Sequence, residues 1–307
     1  MNSLVTSITE FRAMTMFFPF NRQLHPKAFP GIDPRDCSRN YNKIARGNRV
    51  GVCLNEDWPD QYGHYREAHL TQLKHHWWWK LHRVFEELDV TKGFTGDVLF
   101  LEDDYYVAPD VLYVVRMLRA SPQSKDSLII SVGNFLRYIP STYQNRVFLT
   151  HRGWFQFSIG FAFNNETWQK IKQNGEKYCT YDDYNWDWTM STLIKMDKNI
   201  RGGIFGFILT RIHHLGSCNG THAKQKNDCN LDELVKKVEQ KIVKAEKYLF
   251  PASMFFDGSF KNAMKTMKAW GGWGDLRDVE LCKAITNGTA SDDTLTRLQF
   301  EDFVVKT

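Results

Sequence analysis

Between residues 64 and 90 apolar side chains recur at helical spacing. Trp77, Leu81, Val84 and Leu88 follow at intervals of four, three and four, and Phe85 widens the stripe. That period predicts one long amphipathic helix. Gly93 and Gly96 interrupt it, and Asp97 to Leu101 becomes a short unbroken apolar run, the pattern of a buried parallel strand. Pro109 to Ala120 then reads as a helix, and Ser127 to Val132 as a second apolar strand closed by Gly133. Helix, strand, helix and strand in that order predict an α/β sheet. Beyond residue 148 the pattern gives short strands from Trp154 to Phe163, a helix from Asn165 to about Gln173, and aromatic loops. Asn230-Leu-Asp-Glu233 has the form of a capping box. It opens an amphipathic helix with Leu231, Leu234, Val238, Ile242, Ala245 and Leu249 on one stripe, closed by Pro251. The lysines of that helix read as its solvated side. Residues 19–62, rich in Pro, Gly, Asp and Asn, read as an ordered connection.

Composition narrows the class. The 307 residues, 42% hydrophobic and 24% charged, suit a globular chain with a sizeable core. Forty basic against 35 acidic residues, interspersed, leave a net charge of +5, too mild to imply nucleic acid. No apolar run reaches the roughly 18 residues of a membrane helix. The opening residues, MNSLVTSITEFRAMTMFFPF, lack a basic stretch followed by an apolar core and a cleavage site, so neither signal peptide nor anchor is expected in them. Ten tryptophans serve either as core filler or as flat faces for sugar rings. The six cysteines, at 37, 53, 179, 218, 229 and 282, form no CxxC and no zinc-finger spacing. Proximity suggests Cys37 with Cys53 and Cys218 with Cys229 as loop staples. Sequons at Asn165, Asn219 and Asn287, beside an even number of cysteines, favour a secretory lumen.

Four clusters are candidates for chemistry. Glu102-Asp103-Asp104 ends the Asp97–Leu101 run, the end at which open α/β sheets bind ligands. Side-chain alternation puts Glu102 and Asp104 on one side and Asp103 on the other. Such oxygen donors suit magnesium or manganese with places left for water and phosphate; the alternative is a solvated acidic turn. Lys74-His75-His76-Trp77-Trp78-Trp79-Lys80 lies within the predicted helix. Its adjacent histidines are about 100° apart, so they either meet phosphate oxygens with Lys74 or cap buried carbonyls. Three consecutive tryptophans cannot share a face, so one must reach a second interface or a ligand. In Tyr181–Trp188, an aspartate between tryptophans loses solvent, which raises its pKa toward that of a general base. The competing reading is an aromatic corner with Asp as a cap. The His pair in Arg211-Ile-His-His-Leu-Gly-Ser-Cys218 is structural unless a metal sits on Asp104. A metal on one acid and one His, a diphosphate substrate and a separate Asp base together outline a nucleotide-sugar transferase.

Longer motifs carry a resemblance. Phe29-Pro-Gly-Ile-Asp-Pro-Arg-Asp-Cys37, Tyr62-Gly-His-Tyr-Arg-Glu-Ala68, Lys74–Lys80, Phe100-Leu-Glu-Asp-Asp104, Tyr181–Trp188 and Gly271-Gly-Trp-Gly-Asp-Leu-Arg-Asp278 closely resemble the α-1,6-mannosyl-glycoprotein 2-β-N-acetylglucosaminyltransferase (N-acetylglucosaminyltransferase II) family. The match runs from about Phe17 to Cys282, leaving 283–307 as a tail of unknown role. The resemblance implies a Golgi membrane enzyme, acting on the lumenal side, with a GT-A-type α/β fold: a Rossmann-like mixed sheet with flanking helices. It implies inverting, manganese-dependent transfer of GlcNAc from UDP-GlcNAc to the 2-hydroxyl of the α-1,6-linked mannose of N-glycans. By the match, Asp104 and His214 hold Mn2+, Asp187 is the catalytic base, and Gln72, Leu73, Lys74, His75 and His76 contact the donor, with Arg137 near a further donor contact. Three bridges follow from it: Cys37–Cys53, Cys179–Cys282 and Cys218–Cys229. The family's triplet is usually Glu-Glu-Asp; Asp103, pointing away from Asp104, should change little. Set against the family, residues 1–282 form a partial catalytic domain lacking the anchor, the stem and the opening of the nucleotide-binding fold. Two other classes compete. A catalytically incomplete fragment would only bind glycan, and a glycoside hydrolase with two carboxylates would need no nucleotide.

Overall fold

The computed structural model describes residues 11–43, 53–136, 145–151, 154–197, 200, 202–216, 230–259 and 268–299. The chain divides into two compact units, residues 84–271 and residues 1–83 with 272–307.

The unit of residues 84–271 is built on a mixed sheet. Its strands are β1 (Val98–Phe100), β2 (Tyr105–Val107), β3 (Ser127–Ser131), β4 (Arg146–Thr150), β5 (Phe161–Phe163), β6 (Gly203–Phe207), β7 (Ile212–His214) and β8 (Phe255–Ser259). Six of them hydrogen-bond in the order β1-β5-β3-β6-β4-β8, and β2 pairs with β7 as a separate ribbon. β3 runs parallel to β6, and β4 to β8, while β1–β5, β3–β5 and β4–β6 are antiparallel. This is the α/β sheet the pattern predicts, with one correction. The run at Asp97–Leu101 is not a buried parallel strand: among the described residues β1 ends the sheet and pairs only antiparallel, with β5. Its apolar run reports cover on both faces. Leu99 packs against the main core, and the Phe100 ring stacks on Phe161 and leans on Phe85 and Phe163. Two-sided cover is what the pattern encodes; the direction of a neighbour is not.

Helices flank the sheet. Helix α2 (Val111–Ala120) sets Val114 and Leu118 against Ile130, Val132, Phe205 and Phe207. Helices α3 (Asn165–Lys172), α4 (Gly175–Thr180) and α5 (Trp186–Met196) follow β5 in the chain. From them, Trp168 stacks on Phe85 and Trp186 leans on Phe161. Asn164 caps α3 by accepting from Thr167 N at 3.0 Å. Trp154–Phe157 forms a 3-10 turn where a strand was predicted. Helix α6 (Leu231–Ala245) is capped as its sequence says, Asn230 Oδ1 accepting from Glu233 N at 3.3 Å. Its apolar stripe is mostly half-buried, with Val238 the buried member and Leu231 53% exposed.

In the other unit, α1 (Ala68–His82) passes into a π-helical turn at Arg83–Glu87, so the helix predicted over 64–90 starts later and changes winding before its end. Helices α7 (Leu276–Thr286) and α8 (Asp292–Gln299) complete this unit. Residues 283–299, beyond the family resemblance, are thus folded, with Leu295 and Leu298 buried and Gln299 Nε2 donating to Phe29 O at 2.6 Å. Trp77 and Trp78 are buried, Trp78 Nε1 donating to Thr286 Oγ1 at 2.8 Å. Trp79 turns to a second surface, against Phe18 and His76. Beneath them lies a buried charge network. Arg66 binds Asp278 with both oxygens engaged, at 2.8 and 3.3 Å, and His75 Nε2 meets the same carboxylate at 2.9 Å. Arg277 binds Asp275 and Asp36, each at 2.7 Å. The Phe29 ring accepts cation–π contacts from the Arg66 and Arg277 guanidiniums at 4.9 and 5.1 Å. Cys37 and Cys53 are joined, as their spacing suggests, and Cys179 and Cys282 are each disulfide-bonded. Cys218, Cys229 and Asn219 lie outside the described residues.

Candidate active site

The acid triplet sits in the turn between β1 and β2, inside the sheet-bearing unit. Alternation places its members as expected from the backbone: Glu102 and Asp104 are half-buried and Asp103 is exposed. The β2–β7 ribbon does the rest. It pairs Tyr105 with His214, and Leu215 N donates to Asp104 O at 2.8 Å. Two segments remote in sequence thereby bring His214 Nε2 to 3.0 Å from Asp104 Oδ2. Glu102, Asp104 and His214 can present one ligand atom each, all within 4.8 Å of one another.

Two features fit this cluster to a divalent cation. Asp104 Oδ1 is buried without a hydrogen-bond partner, a lone pair set that a cation would satisfy. Gly216 is the second. A β-carbon there would lie 2.4 Å from Asp104 Oδ2 and 2.5 Å from His214 Cε1, so the backbone closes against the pair only because the residue is glycine. Two carboxylates and an imidazole form a donor set compatible with manganese. Tyr105 steadies the group. Its hydroxyl donates to Glu102, and burial together with the Glu102 charge keeps that phenol protonated well above its ordinary range. Its ring stands edge-on to the His214 imidazole, 5.7 Å between centroids.

Asp187 lies in the first turn of α5, between the buried Trp186 and Trp188. Loss of solvent pushes its carboxyl up to about 7 from 3.8; the nearby Glu102 and Asp183 charges push the same way, and Trp188 N, donating at 2.9 Å, offsets part of the rise. The Glu102 influence ties Asp187 to the acid–imidazole cluster. Asp183 fixes the approach to α5. Wholly buried, it accepts from Asn185 N at 2.8 Å through one oxygen and from Trp270 N at 2.9 Å through the other. Asp183, Tyr105 and Gly216 were not singled out in the sequence. Asp183 has a visible signal, an Asp two residues before the Asn that precedes a helix, which reads as an Asx turn. Tyr105 and Gly216 have none, because their roles depend on β7 arriving alongside.

The segment Gln72–His76 belongs to the other unit. Gln72 Oε1 accepts from Arg22 N at 2.8 Å, and Lys74, wholly buried, sits over the Trp273 ring at 4.2 Å. His75 meets Asp278, Leu73 is half-buried, and His76 packs against Phe18 and Trp79. Arg137 lies outside the described residues.

A mixed sheet with flanking helices, carrying an acid–imidazole cluster at a strand end and an elevated carboxylate beside it, is an architecture found among sugar-nucleotide transferases. The family model for N-acetylglucosaminyltransferase II (MGAT2) matches residues 1–282. The chain belongs to that family. It is 38% identical over 290 residues to the α-1,6-mannosyl-glycoprotein 2-β-N-acetylglucosaminyltransferase of Rattus norvegicus, covering 92% of this chain and 64% of the relative. The like-named Homo sapiens protein is 35% identical, covering 92% and 63%, and that of Arabidopsis thaliana is 29% identical, covering 92% and 64%. The chain therefore spans about two thirds of the length of these curated relatives, at 64% or just below.

Proposed function

We propose that this chain carries the catalytic chemistry of an inverting transfer of GlcNAc from UDP-GlcNAc to the 2-hydroxyl of the α-1,6-linked mannose of N-glycans. The observation that carries the reading is Asp187, an aspartate whose carboxyl is lifted to about 7 beside the Glu102, Asp104 and His214 cluster. A carboxylate of that basicity is suited to accepting the proton of a sugar hydroxyl near neutral pH. The relieved hydroxyl oxygen attacks C1 of the donor sugar from the face opposite the diphosphate, so one displacement inverts the centre and needs no enzyme nucleophile. Asp104 and His214, with Glu102 in reach, would hold Mn2+, which when bound supplies positive charge to stabilise the departing diphosphate. Tyr105 holds Glu102 in place. Gln72–His76 and Arg137 stand as donor contacts in this reading.

The address follows the same reading. The oxidised Cys37–Cys53 pair suits a lumenal compartment, and we place the protein at the lumenal side of the Golgi membrane. Among the described residues no helix is long and apolar enough to cross a membrane.

The full chain, given UDP-GlcNAc, Mn2+ and an N-glycan with an unsubstituted α-1,6-mannose, should release UDP and yield a β-1,2-linked GlcNAc, and chelation should stop it. Glycan binding without transfer under these conditions would overturn the reading in favour of a binding fragment. Release of GlcNAc by metal-free protein would favour a hydrolase. The metal claim has its own variant. Gly216→Ala drives a methyl group into the Asp104–His214 pair, and Mn2+ affinity should fall by about 10- to 100-fold in calorimetric titration. Unchanged affinity would remove this cluster from the metal site.

A further inference from the structure

The chain ends in residues the family model does not match, and they carry a chemical motif of their own. Asn287 is the C-cap of α7, at φ −89° and ψ −1°. Gly288 follows in the left-handed region, at φ 68°, as a helix-terminating turn requires. Gly288 N donates to Ile285 O at 3.1 Å and Thr289 N to Ala284 O at 2.9 Å, which closes the turn. Asn287, Gly288 and Thr289 are all exposed in the folded unit. Their order is the acceptor sequence for N-linked glycosylation.

Asn165, which opens α3, has the same motif in an unlike setting. It is half-buried, and its Oδ1 accepts from Gln169 Nε2 at 3.1 Å. Gln169 also donates to Glu86 Oε1 at 2.9 Å, the oxygen that accepts from Trp168 Nε1 at 2.7 Å. Thr167 is 4% exposed, its hydroxyl turned to Leu128 O at 3.2 Å. For Asn165 to be read in the folded unit, Thr167 would have to leave its buried place. A glycan on Asn287 would extend into solvent from a turn that is already formed.

We propose that Asn287 is an N-glycosylation site and that Asn165 is not used. The proposal rests on the lumenal address given above. The co-reactant is an oligosaccharide linked through diphosphate to a polyprenyl lipid. The Asn287 amide nitrogen bonds to C1 of the first sugar as the C1–O bond to phosphate breaks; the amide gives up one proton, and the lipid diphosphate leaves. Thr289, whose hydroxyl also donates to a carbonyl, Ala284 O at 3.3 Å, is exposed where Thr167 is buried, so it can supply the hydroxyl that the modifying enzyme must read, and Gly288 puts no side chain between them.

The test uses the full chain behind a cleavable secretion signal, with Asn219→Gln so that two sequons remain. The secreted protein is treated with peptide N-glycosidase and mapped by peptide mass spectrometry. One glycan is expected, on Asn287. It should vanish in Asn287→Gln and Thr289→Ala, return in Thr289→Ser, and persist in Asn165→Gln. An unmodified Asn287 on the secreted, disulfide-bonded chain overturns the proposal, as does a glycan that persists in Asn287→Gln and vanishes in Asn165→Gln. The signal delivers the chain whatever its natural address. An occupied Asn287 on the delivered chain beside an unglycosylated native protein therefore supports the site and counts against the lumenal address alone.

Discussion

Asp187→Asn should lower GlcNAc transfer by about 10²- to 10⁴-fold while leaving UDP-GlcNAc binding within a few-fold of the original. The amide is nearly isosteric and keeps an oxygen for the Trp188 N–H, so α5 and its tryptophans stay in place. What it removes is the proton acceptor. In the unsubstituted protein the rate should rise with pH as Asp187 ionises, with a midpoint near 7 before cation and donor bind, and their charges then shift it. The sign of the stability effect is opposite. A carboxyl whose folded pKa is raised contributes stability as the neutral acid, fully present below 3.8 and lost as pH climbs through about 7. Asp187→Asn cannot ionise beside Glu102 and Asp183, so its melting temperature should exceed that of the original protein at pH 8 and approach it at pH 5. Retained turnover would take Asp187 out of the base role. A loss of stability at pH 8 would contradict the strained carboxylate.

Asp278→Ala should produce the largest loss of stability, about 3–5 kcal/mol. Burial alone would raise the Asp278 carboxyl, but the Arg66 guanidinium and the His75 hydrogen bond outweigh it and hold Asp278 well below the usual carboxylate range. The His75 imidazole is pushed down as well, chiefly by burial. It is therefore neutral, donating through Nε2 and leaving Nδ1 as a buried acceptor without a partner. Removing the acid takes the two-oxygen partner from the buried Arg66 charge, which keeps the longer approaches to Asp36 at 3.4 Å and Asp275 at 4.0 Å, and leaves His75 without its partner. The cost falls on the joint between α1 and α7. Urea denaturation should show a lower midpoint with an unchanged slope. Because the folded pKa is depressed, the Asp278 contribution is complete above the ordinary carboxylate value and fades as pH falls below it. The gap between variant and original should thus be constant from pH 5 to 8 and close in acid. A variant within about 0.5 kcal/mol of the original would show that the network is energetically idle.

How far these sites were legible depends on the range of the interactions that make them. Alternation along Glu102-Asp103-Asp104 was enough to separate the exposed member from the two half-buried ones. The tryptophans around Asp187 announced a desolvated acid. The cap at Asn230 was local as well. By contrast, β1 looked parallel because two-sided cover and parallel pairing leave the same apolar run. The 64–90 pattern could not report the switch to π winding at Arg83, since the apolar stripe continues through Val84. His75 read either as a donor to phosphate oxygens or as a cap for buried carbonyls. Only the arrival of Asp278 from α7 gives it its hydrogen-bond partner.

By itself, then, the sequence determined the quantities that act over a few residues: helix and strand periods, caps, the acid triplet, the aromatic setting of Asp187, and motifs long enough to place the chain in a family. Only the tertiary structure decided that β7 pairs with β2, so that His214 meets Asp104, Tyr105 restrains Glu102, and Gly216 must lack a side chain. The physical reason is distance along the chain. A pairing between remote strands is chosen by the summed burial of the whole sheet, and no residue at either end of it records that choice.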